Sequence, residues 1–526
     1  MAASSTTAPQ VNKWTVTIAV TVGTLMGAID SSIVNVALPH MRGTLGASIQ
    51  EITWVSTGYI VAMVIVMPLV AWLGTVFGRK RVYLFCLGLF LVGSFFCGAA
   101  RSLSTLVIFR IVQGLGAGAL QPTEQAILRE TFPLEEQGMA MGLYGLAVMI
   151  GPALGPTLGG YIVDNFEWPW IFYINIPIGI IGILMVQRFI HDPEHAKARG
   201  GPARIDFVGI LFLVAGLGLL QTVLEKGNEN DWFQSAFIAA MALAAVVSLA
   251  IFVVQELTSE QPAVDLRILK NLSFTSGTLV GAILGAALFG SMFLLPLFMQ
   301  ELLGYDATQS GLALMPRALA MIVMMPLAGM LYNRLGHYLQ VPLGLGLSAL
   351  ATFLMSHFTL QSGTWQILLP QILQGIGFSL MFVSLSTVTL STIRREQMTN
   401  ATGLYNLIRQ LGGSFGVAIF ATFLENRREL AHNSIIAHLV PTRGAVQQRL
   451  AMLSSGLGSR AGVHGGTAHR MGLGALAFEV YRQSATMGYE QTFLWVALLI
   501  GGCIPLVFLI RKGKGQRKLG PEVLAE

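Results

Sequence analysis

Residues 142–160 read GLYGLAVMIGPALGPTLGG, and this stretch decides the fold of the chain. These 19 residues carry no charge, and at about 1.5 Å per helical residue they are long enough to cross a bilayer core. Two prolines, Pro152 and Pro156, each remove a helical hydrogen bond. Glycines at every fourth position share one helix face, where a second helix backbone comes close: Gly151, Gly155 and Gly159. The stretch predicts a membrane helix packed tightly against a neighbour.

The composition of the whole chain supports this prediction. Of the 526 residues, 54% are hydrophobic and only 11% are charged, whereas soluble domains contain about 25% charged residues. The mean hydropathy is +0.66. We therefore expect an all-α polytopic membrane protein, which excludes a large soluble domain. Cys86, Cys97 and Cys503 all lie in apolar segments, so neither a disulfide framework nor a metal site is expected.

Fourteen apolar stretches are long enough to span a membrane, and the first follows a polar leader without a cleavage-site pattern, so it is expected to be retained. The predicted spans are Trp14–Leu38, Ile52–Leu73, Val82–Ala100, Leu103–Leu128, Gly142–Ile162, Trp170–Phe189, Phe207–Leu224, Phe233–Val254, Phe274–Leu297, Gly311–Tyr332, Val341–Phe358, Ile367–Leu390, Ala401–Leu424 and Thr492–Ile510.

An internal repeat divides these spans into two halves. Residues 111–116, IVQGLG, resemble residues 372–377, ILQGIG, at an offset of 261 that also aligns Arg110 with Gln371. A slightly longer offset in the first helices aligns Asp30 with Phe293. The predicted domains are a cytoplasmic tail (1–13), a six-helix half (14–190), a linker with two inserted helices (191–272), a second six-helix half (273–512) that includes an external loop (425–487), and a basic cytoplasmic tail (513–526).

The distribution of Lys and Arg predicts the orientation. With both termini on one side, that side holds Arg79–Arg81, Arg394 and Arg395. The short loops of the other side hold only Arg42, Arg101 and Lys226. The positive-inside rule therefore places both termini in the cytoplasm, and we attribute the net charge of +6 to this orientation and not to nucleic-acid binding.

Two ionisable residues of opposite sign are predicted at similar depth in the membrane. Asp30 lies inside the first span, and Arg110 lies seven residues into the fourth. Buried ionisable groups usually pair, face a cavity and carry a function, here proton exchange by the carboxyl group. The alternative is a static ion pair that joins two helices. Glu124 is a weaker candidate for proton coupling, and we expect its side chain to reach the membrane interface.

The glycine–proline stretch resembles the fifth-helix antiporter motif of drug:proton antiporters in the major facilitator superfamily. This resemblance implies a conformational role for its residues: Gly142, Gly151, Pro152, Gly155, Pro156, Gly159 and Gly160. The stretch LVIFRIVQGLGAG around Arg110 resembles the fourth-helix motif of proton-coupled members. AWLGTVFGRKR at 71–81 is similar to the cytoplasmic gate loop of the superfamily, matching it at Gly78, Arg79 and Lys80 but lacking the usual acid, since Thr75 occupies that position.

Together with WPWIFYINIPIG in the sixth helix, these motifs resemble the fourteen-helix EmrB/QacA-type antiporters, and the long loop before the last span favours the EmrB branch. The resemblance implies proton-driven export of hydrophobic or amphiphilic compounds, without a cofactor, a metal or an enzymatic step. It also implies a periplasmic adaptor, docked on 425–487, and an outer-membrane channel. A substrate cavity between the halves is expected to include Asn35, Gln113, Met149, Phe293, Gln374 and Arg409.

Two other interpretations remain open at this point. One is a major facilitator symporter or uniporter for a nutrient, or an exporter of one specific metabolite or lipid-like solute. The other is a membrane-embedded enzyme or a non-transporting sensor. The chain contains neither an HxxxxD acceptor motif nor a nucleotide-binding P-loop, so ATP is not expected to be the energy source.

Overall fold

The computed structural model describes residues 12–190, 206–440 and 442–510, and the regular structure of these residues is entirely helical. Fourteen helices are long and apolar enough to cross a membrane, which confirms the predicted fold class. Most of the predicted tail 1–13, residues 191–205 of the predicted linker and the predicted tail 513–526 lie outside the described residues.

Six spanning helices form the N-terminal half. A 3-10 turn at Met67–Leu69 interrupts the second helix, and a break after Ala117 interrupts the fourth. The six helices are α1 (Lys13–Leu45), α2 (Gln50–Phe77), α3 (Arg79–Gly98), α4 (Leu103–Thr131), α5 (Gln137–Asn165) and α6 (Trp170–Phe189).

The inserted helices and the C-terminal half follow. The inserted pair is α7 (Phe207–Lys226) and α8 (Ala236–Thr258). The second half contains α9 (Leu272–Glu301), α10 (Ala307–Leu335), α11 (His337–Met355), α12 (Thr364–Leu390), α13 (Met398–His438), α14 (Gly444–Ala461) and α15 (Gly466–Gly502). We call the side of the bundle where α1 begins the terminal side, and the opposite side the protrusion side.

The two halves repeat the same packing, as the sequence repeat predicts. In the N-terminal half α1 packs along α5 and α2 along α4, and in the C-terminal half α9 packs along α13 and α10 along α12. Gly114 and Gly375 occupy equivalent places, since a Cβ added at either would contact backbone of the second helix in its own half. The chain is therefore built from two pseudo-symmetric six-helix units.

The glycine face of α5 lies directly against α1. A Cβ at Gly151 would lie 2.5 Å from the carbonyl carbon of Ala28, and one at Gly159 would lie 2.9 Å from the backbone oxygen of Ile33. A Cβ at Gly155 would overlap Ser32 Oγ. The predicted close approach of a second backbone is thus present, and it holds α1 and α5 together as one unit.

The two ends of α5 face the other half of the molecule. A Cβ at Gly142 would lie 2.8 Å from the backbone oxygen of Met325 in α10, whereas one at Gly160 would make only an ordinary contact of 3.5 Å with Thr308 Oγ1. The helix is continuous from Gln137 to Asn165 and includes Pro156. The side chain of Pro152 lies outside the described part of the structure.

The inserted helix α7 contacts both halves. Gln221 Nε2 donates to Ser414 Oγ of α13 over 2.8 Å, and Lys226 Nζ donates to the backbone oxygen of Gln50, at the start of α2, over 3.2 Å. Since α2 and α13 belong to different halves, α7 lies over the seam between them.

Within the predicted external loop the sequence favours helices at Glu425–Leu439 and Arg443–Leu453, and the structure is helical there and also extends the spanning helices into the loop. We predicted spans at Ala401–Leu424 and Thr492–Ile510, but α13 continues to His438 and α15 already begins at Gly466. The charged residues that follow Leu424 end the apolar run without ending the helix, because Glu and Arg are good helix formers. The continuations of α13 and α15 form, with α14, a body that we call the protrusion, residues 425–487.

A cluster of polar side chains fixes the base of the protrusion. The carboxylate of Glu301, at the end of α9, accepts hydrogen bonds from Arg428 Nη1 over 3.1 Å and from the hydroxyl group of Tyr489 over 3.0 Å. It also accepts one from the hydroxyl group of Tyr481. Arg482 Nη2 donates to the backbone oxygen of Leu302 over 3.0 Å. The protrusion is therefore attached to the C-terminal half on two of its helices.

We predict that Gly151→Ala lowers the melting temperature in detergent and slows transport. The added methyl group meets backbone atoms, so α1 and α5 must separate, and overpacking of this kind costs about 1–3 kcal/mol. Gly160→Ala in the same helix is the matched control, since its methyl group fits at ordinary contact distance. Equal melting temperatures for the two variants would contradict the packing described.

Candidate functional site

The centre of the N-terminal half contains a buried ion pair. Asp30 Oδ2 of α1 lies 2.5 Å from Arg110 Nη1 of α4, and the two side chains are 0% and 1% exposed. Arg110 Nε donates to the backbone oxygen of Val55 over 3.0 Å, and the guanidinium group lies 4.1 Å from the centre of the Tyr59 ring. The two charges that the sequence placed at similar depth are thus in direct contact.

Neutral donors complete the surroundings of the carboxylate. Asp30 Oδ1 accepts from Gln113 Nε2 over 2.8 Å and from Asn175 Nδ2 of α6 over 3.0 Å. Gln113 Nε2 and Asn175 Nδ2 also donate to Ser94 Oγ of α3 over 2.6 and 3.3 Å. Asp30 therefore accepts three hydrogen bonds, two at Oδ1 and one at Oδ2, from side chains of two other helices.

The side chain of Gln113 lies in a different environment from the one predicted. We predicted that it lines the substrate cavity, but its side chain is 0% exposed and its Oε1 accepts from Arg110 Nη1 over 2.7 Å. The amide bridges the two charged residues because it supplies both an acceptor and a donor. Gln113 therefore belongs to the ion-pair cluster.

Glu124 also departs from its prediction. We expected this side chain to reach the membrane interface, but it is 0% exposed and accepts from Thr21 Oγ1 over 2.8 Å. In the part of the chain that the structure describes, no cation pairs with Glu124. The N-terminal half thus contains a second buried carboxyl group, one without a counter-charge.

The other residues predicted for the cavity differ in their exposure. Met149 and Gln374 are buried, and Gln374 Nε2 donates weakly to Thr352 Oγ1 over 3.4 Å. Asn35 is exposed and accepts from Ser56 Oγ over 2.8 Å, and Phe293 is half-buried. In this conformation Asn35 and Phe293 present accessible surface, whereas Met149 and Gln374 do not.

Arg409 lies in a hydrogen-bonded network between the halves. Its Nη2 donates to Gln121 Oε1 of α4 over 3.1 Å and to Asn406 Oδ1 over 2.9 Å. Asn406 Oδ1 also accepts from the hydroxyl group of Tyr144 over 3.0 Å, and Asn406 Nδ2 donates to Gln125 Oε1 over 2.7 Å. Arg409 was predicted from the sequence, but its partners were not. The feature that could have revealed them is that each is a polar side chain within an apolar helix.

Further contacts between the halves lie on the terminal side. Asn333 Nδ2, in the last turn of α10, donates to the backbone oxygen of Glu135 over 2.6 Å. Thr402 Oγ1 of α13 donates to the backbone oxygen of Pro122 over 3.0 Å. Together with the Arg409 network, these bonds join the halves on the terminal side in the conformation described.

The predicted gate loop contains a charge pair that the sequence did not reveal. Gly78 has a φ of 86°, which favours glycine, and it separates α2 from α3. Arg79 Nη1 lies 2.6 Å from Glu130 Oε2 at the end of α4, and Lys80 Nζ donates to the backbone oxygen of Gln187 over 2.7 Å. Glu130 thus supplies the acid that the loop itself lacks.

Comparison with known proteins agrees with this architecture. The family model of the Major Facilitator Superfamily matches residues 20–417. The chain is 37% identical to multidrug export protein EmrB of Haemophilus influenzae over 81% of this chain and 83% of that protein. It is 33% identical to fatty acid resistance protein FarB of Neisseria gonorrhoeae over 94% of this chain and 96% of that protein.

A solved structure supports the fold alone. The proton:xylose symporter XylE superposes with a TM-score of 0.60 at 13% identity, covering 92% of this chain and 94% of that one. The two halves, the inserted helix pair and the matches over most of the sequence agree with one another. The chain therefore belongs to the major facilitator superfamily, within its fourteen-helix, EmrB-type branch.

Proposed function

We propose that this chain exports hydrophobic or amphiphilic toxic compounds across the cytoplasmic membrane in exchange for protons, with Asp30 as the proton-binding group. The observation that carries the proposal is the fully buried pair of Asp30 and Arg110 at the centre of the N-terminal half. Intramembrane charges of this kind are costly and are retained for function. Membership of the EmrB-type branch makes the chain a multi-pass transporter of small molecules in the inner membrane.

The geometry suggests how proton binding is coupled to movement. The contact between Asp30 and Arg110 holds helices α1 and α4 together. A proton on Asp30 removes the charge that Arg110 neutralises, so the guanidinium group must find other acceptors, such as the Val55 carbonyl and Gln113 Oε1 that it already contacts. Protonation therefore favours a different arrangement of α1 against α4.

Alternation would move whole groups of helices. Because the glycine contacts hold α5 against α1, a shift of α1 carries α5 with it. The bonds of Asn406 and Arg409 to α4 and α5 would then break and open the terminal side.

We assign the terminal side to the cytoplasm, with both termini there, because of the Lys and Arg distribution. We propose that the two six-helix domains are residues 14–190 and 273–512 and that the linker with the two inserted helices is 191–272.

The proposed exchange uses the proton as coupling ion and involves no cofactor, no metal and no enzymatic step. Glu124 is the second candidate group, since a buried carboxyl group without a cation is costly to ionise.

We also propose that the protrusion docks a periplasmic adaptor, which connects to an outer-membrane channel. Large apolar side chains project from its surface although it lies beyond the apolar parts of α13 and α15. Soluble surfaces with clustered apolar residues commonly bind partners. These exposed residues are Leu430, Ile436, Met452, Leu473 and Phe478.

Asp30→Asn is expected to abolish export driven by a pH gradient in inverted vesicles and to lower the melting temperature. Breaking a buried ion pair by removing one partner costs about 3–5 kcal/mol, because Arg110 is left buried and uncompensated. The double variant Asp30→Asn/Arg110→Gln removes both charges and is expected to regain stability without regaining export.

Glu124→Gln is the stability control, since it removes a buried carboxyl group without stranding a cation. Its melting temperature is expected to stay close to that of the wild type. Full gradient-driven export by Asp30→Asn would refute the assignment of Asp30. Proton-coupled uptake of a solute by the wild type, without any export, would favour a symporter instead.

Replacement of residues 436–480 by a short Gly/Ser linker tests the docking proposal. This replacement keeps Arg428, Tyr481 and Tyr489, which bind Glu301, so the spanning helices remain anchored. Export in proteoliposomes is expected to persist, whereas resistance of intact cells and co-purification of an adaptor are expected to be lost. Undiminished resistance of cells with the shortened protein would rule out the docking role.

A further inference from the structure

Arg317 is a buried cation without a counter-charge. It lies near the middle of α10 and is 2% exposed. Its Nε donates to Gln371 Oε1 over 2.8 Å, and its Nη1 donates to Ser291 Oγ over 3.1 Å. Both partners are neutral, and among the described residues no carboxylate pairs with Arg317. A guanidinium group in this position is costly unless an anion accompanies it.

Two hydrogen-bond donors at this place have no acceptor. Within the described residues, neither Arg317 Nη2 nor Gln371 Nε2 has a hydrogen-bond partner, and both atoms are buried. Nearly all buried polar groups in proteins are hydrogen-bonded, so orphaned donors on two residues in mutual contact need an explanation. An acceptor that bears a negative charge would satisfy both the orphaned donors and the uncompensated charge.

The N-terminal half shows what is missing. At the repeat offset of 261, Gln371 corresponds to Arg110 and Ser291 to Asp30. The longer offset of the first helices aligns Asp30 with Phe293, but the contacts put Ser291 in the equivalent role, because Ser291 touches the arginine of its own half. The first half thus contains a carboxylate and a guanidinium group, whereas the second half keeps a guanidinium group and has a hydroxyl group in place of the carboxylate.

We propose that Arg317 and Gln371 form an anion-binding subsite that receives the carboxylate of an amphiphilic substrate. The inference rests on the proposed export function and names the class of substrate: amphiphilic anions. A carboxylate accepts from a guanidinium group through two oxygens and would convert the lone cation into a neutral pair. A neutral or cationic amphiphile would form no such pair with Arg317. The subsite is closed in the conformation described. The anion therefore binds or is released in the alternate conformation of the transporter.

The first test compares ligands that differ only in the head group. Dodecanoate, dodecanol and dodecyltrimethylammonium are titrated against the purified full chain and against Arg317→Met, with affinity measured by thermal shift. We expect Arg317→Met to lose roughly ten- to hundredfold in affinity for dodecanoate, since a charge-assisted hydrogen bond contributes on that scale. Affinities for the alcohol and the ammonium compound are expected to change less than about twofold, as the removed interaction is specific for anions.

The second test introduces a carboxylate into the subsite by substitution of one of its own residues. Gln371→Glu is nearly isosteric and places a carboxylate beside Arg317 Nε, where Gln371 Oε1 now accepts. This variant is expected to melt at a higher temperature than the wild type and to lose dodecanoate binding. Gln340→Glu is the matched control, because Gln340 is equally buried but donates to the backbone oxygen of Ala328. Its melting temperature is expected to fall.

The outcomes separate this proposal from its alternatives. Equal losses for all three ligands in Arg317→Met, or no loss for any, would overturn the subsite, as would destabilisation of Gln371→Glu. An inorganic anion has the same charge, so melting is also measured in chloride and in gluconate. Stabilisation by chloride that needs Arg317 and is not competed by dodecanoate would overturn the substrate assignment.

The export function is tested separately, first in the wild type. In inverted vesicles that contain the wild-type chain, a pH gradient is expected to drive export of dodecanoate, and Arg317→Met is expected to reduce that export. Reduced export of dodecanoate together with loss of dodecanoate binding supports the subsite. If wild-type vesicles export none of the compounds, the proposed export function fails, and the binding measurements still decide whether an anion binds at Arg317.

Discussion

A charge that is removed from water is costly unless an opposite charge accompanies it, and Asp30 and Arg110 meet this constraint by direct contact at the centre of the N-terminal half. Five of the six helices of this half supply a group to the pair or its immediate partners. The contributions are Asp30 from α1, Val55 and Tyr59 from α2, Ser94 from α3, Arg110 and Gln113 from α4, and Asn175 from α6. The positions of these five helices therefore all depend on contacts around one carboxyl group.

The two halves share a scaffold but differ in the polar groups at their centres. The glycine contacts recur, as at Gly114 and Gly375, because close helix packing is needed in both. The charges do not recur, since the arginine of the second half lies on its second helix and is accompanied by neutral groups. In our proposals, proton binding and recognition of a substrate would therefore have separate locations on one repeated framework, joined by the hydrogen bonds of Asn406 and Arg409.

Sequence patterns predicted features that depend on local spacing or on depth. The glycine face of α5 follows from a four-residue period, and the opposition of Asp30 and Arg110 follows from their positions along two spans. Contacts between residues far apart in sequence have no such period, which is why Glu130 and Asn175 were missed. The start of α15 at Gly466, well before the predicted span at Thr492, was missed for a different reason, since apolarity reports the membrane and not the end of a helix.

The continuity of α13 has a mechanical consequence. The part of this helix beyond Leu424 is about 20 Å long at 1.5 Å per residue, and no break separates it from the part within the bundle. The contacts of Glu301 with Arg428 and Tyr489 hold the helix against the end of α9 at the point of exit. The protrusion therefore acts as a rigid lever arm, and any tilt of the C-terminal half displaces its tip by a larger distance than its base.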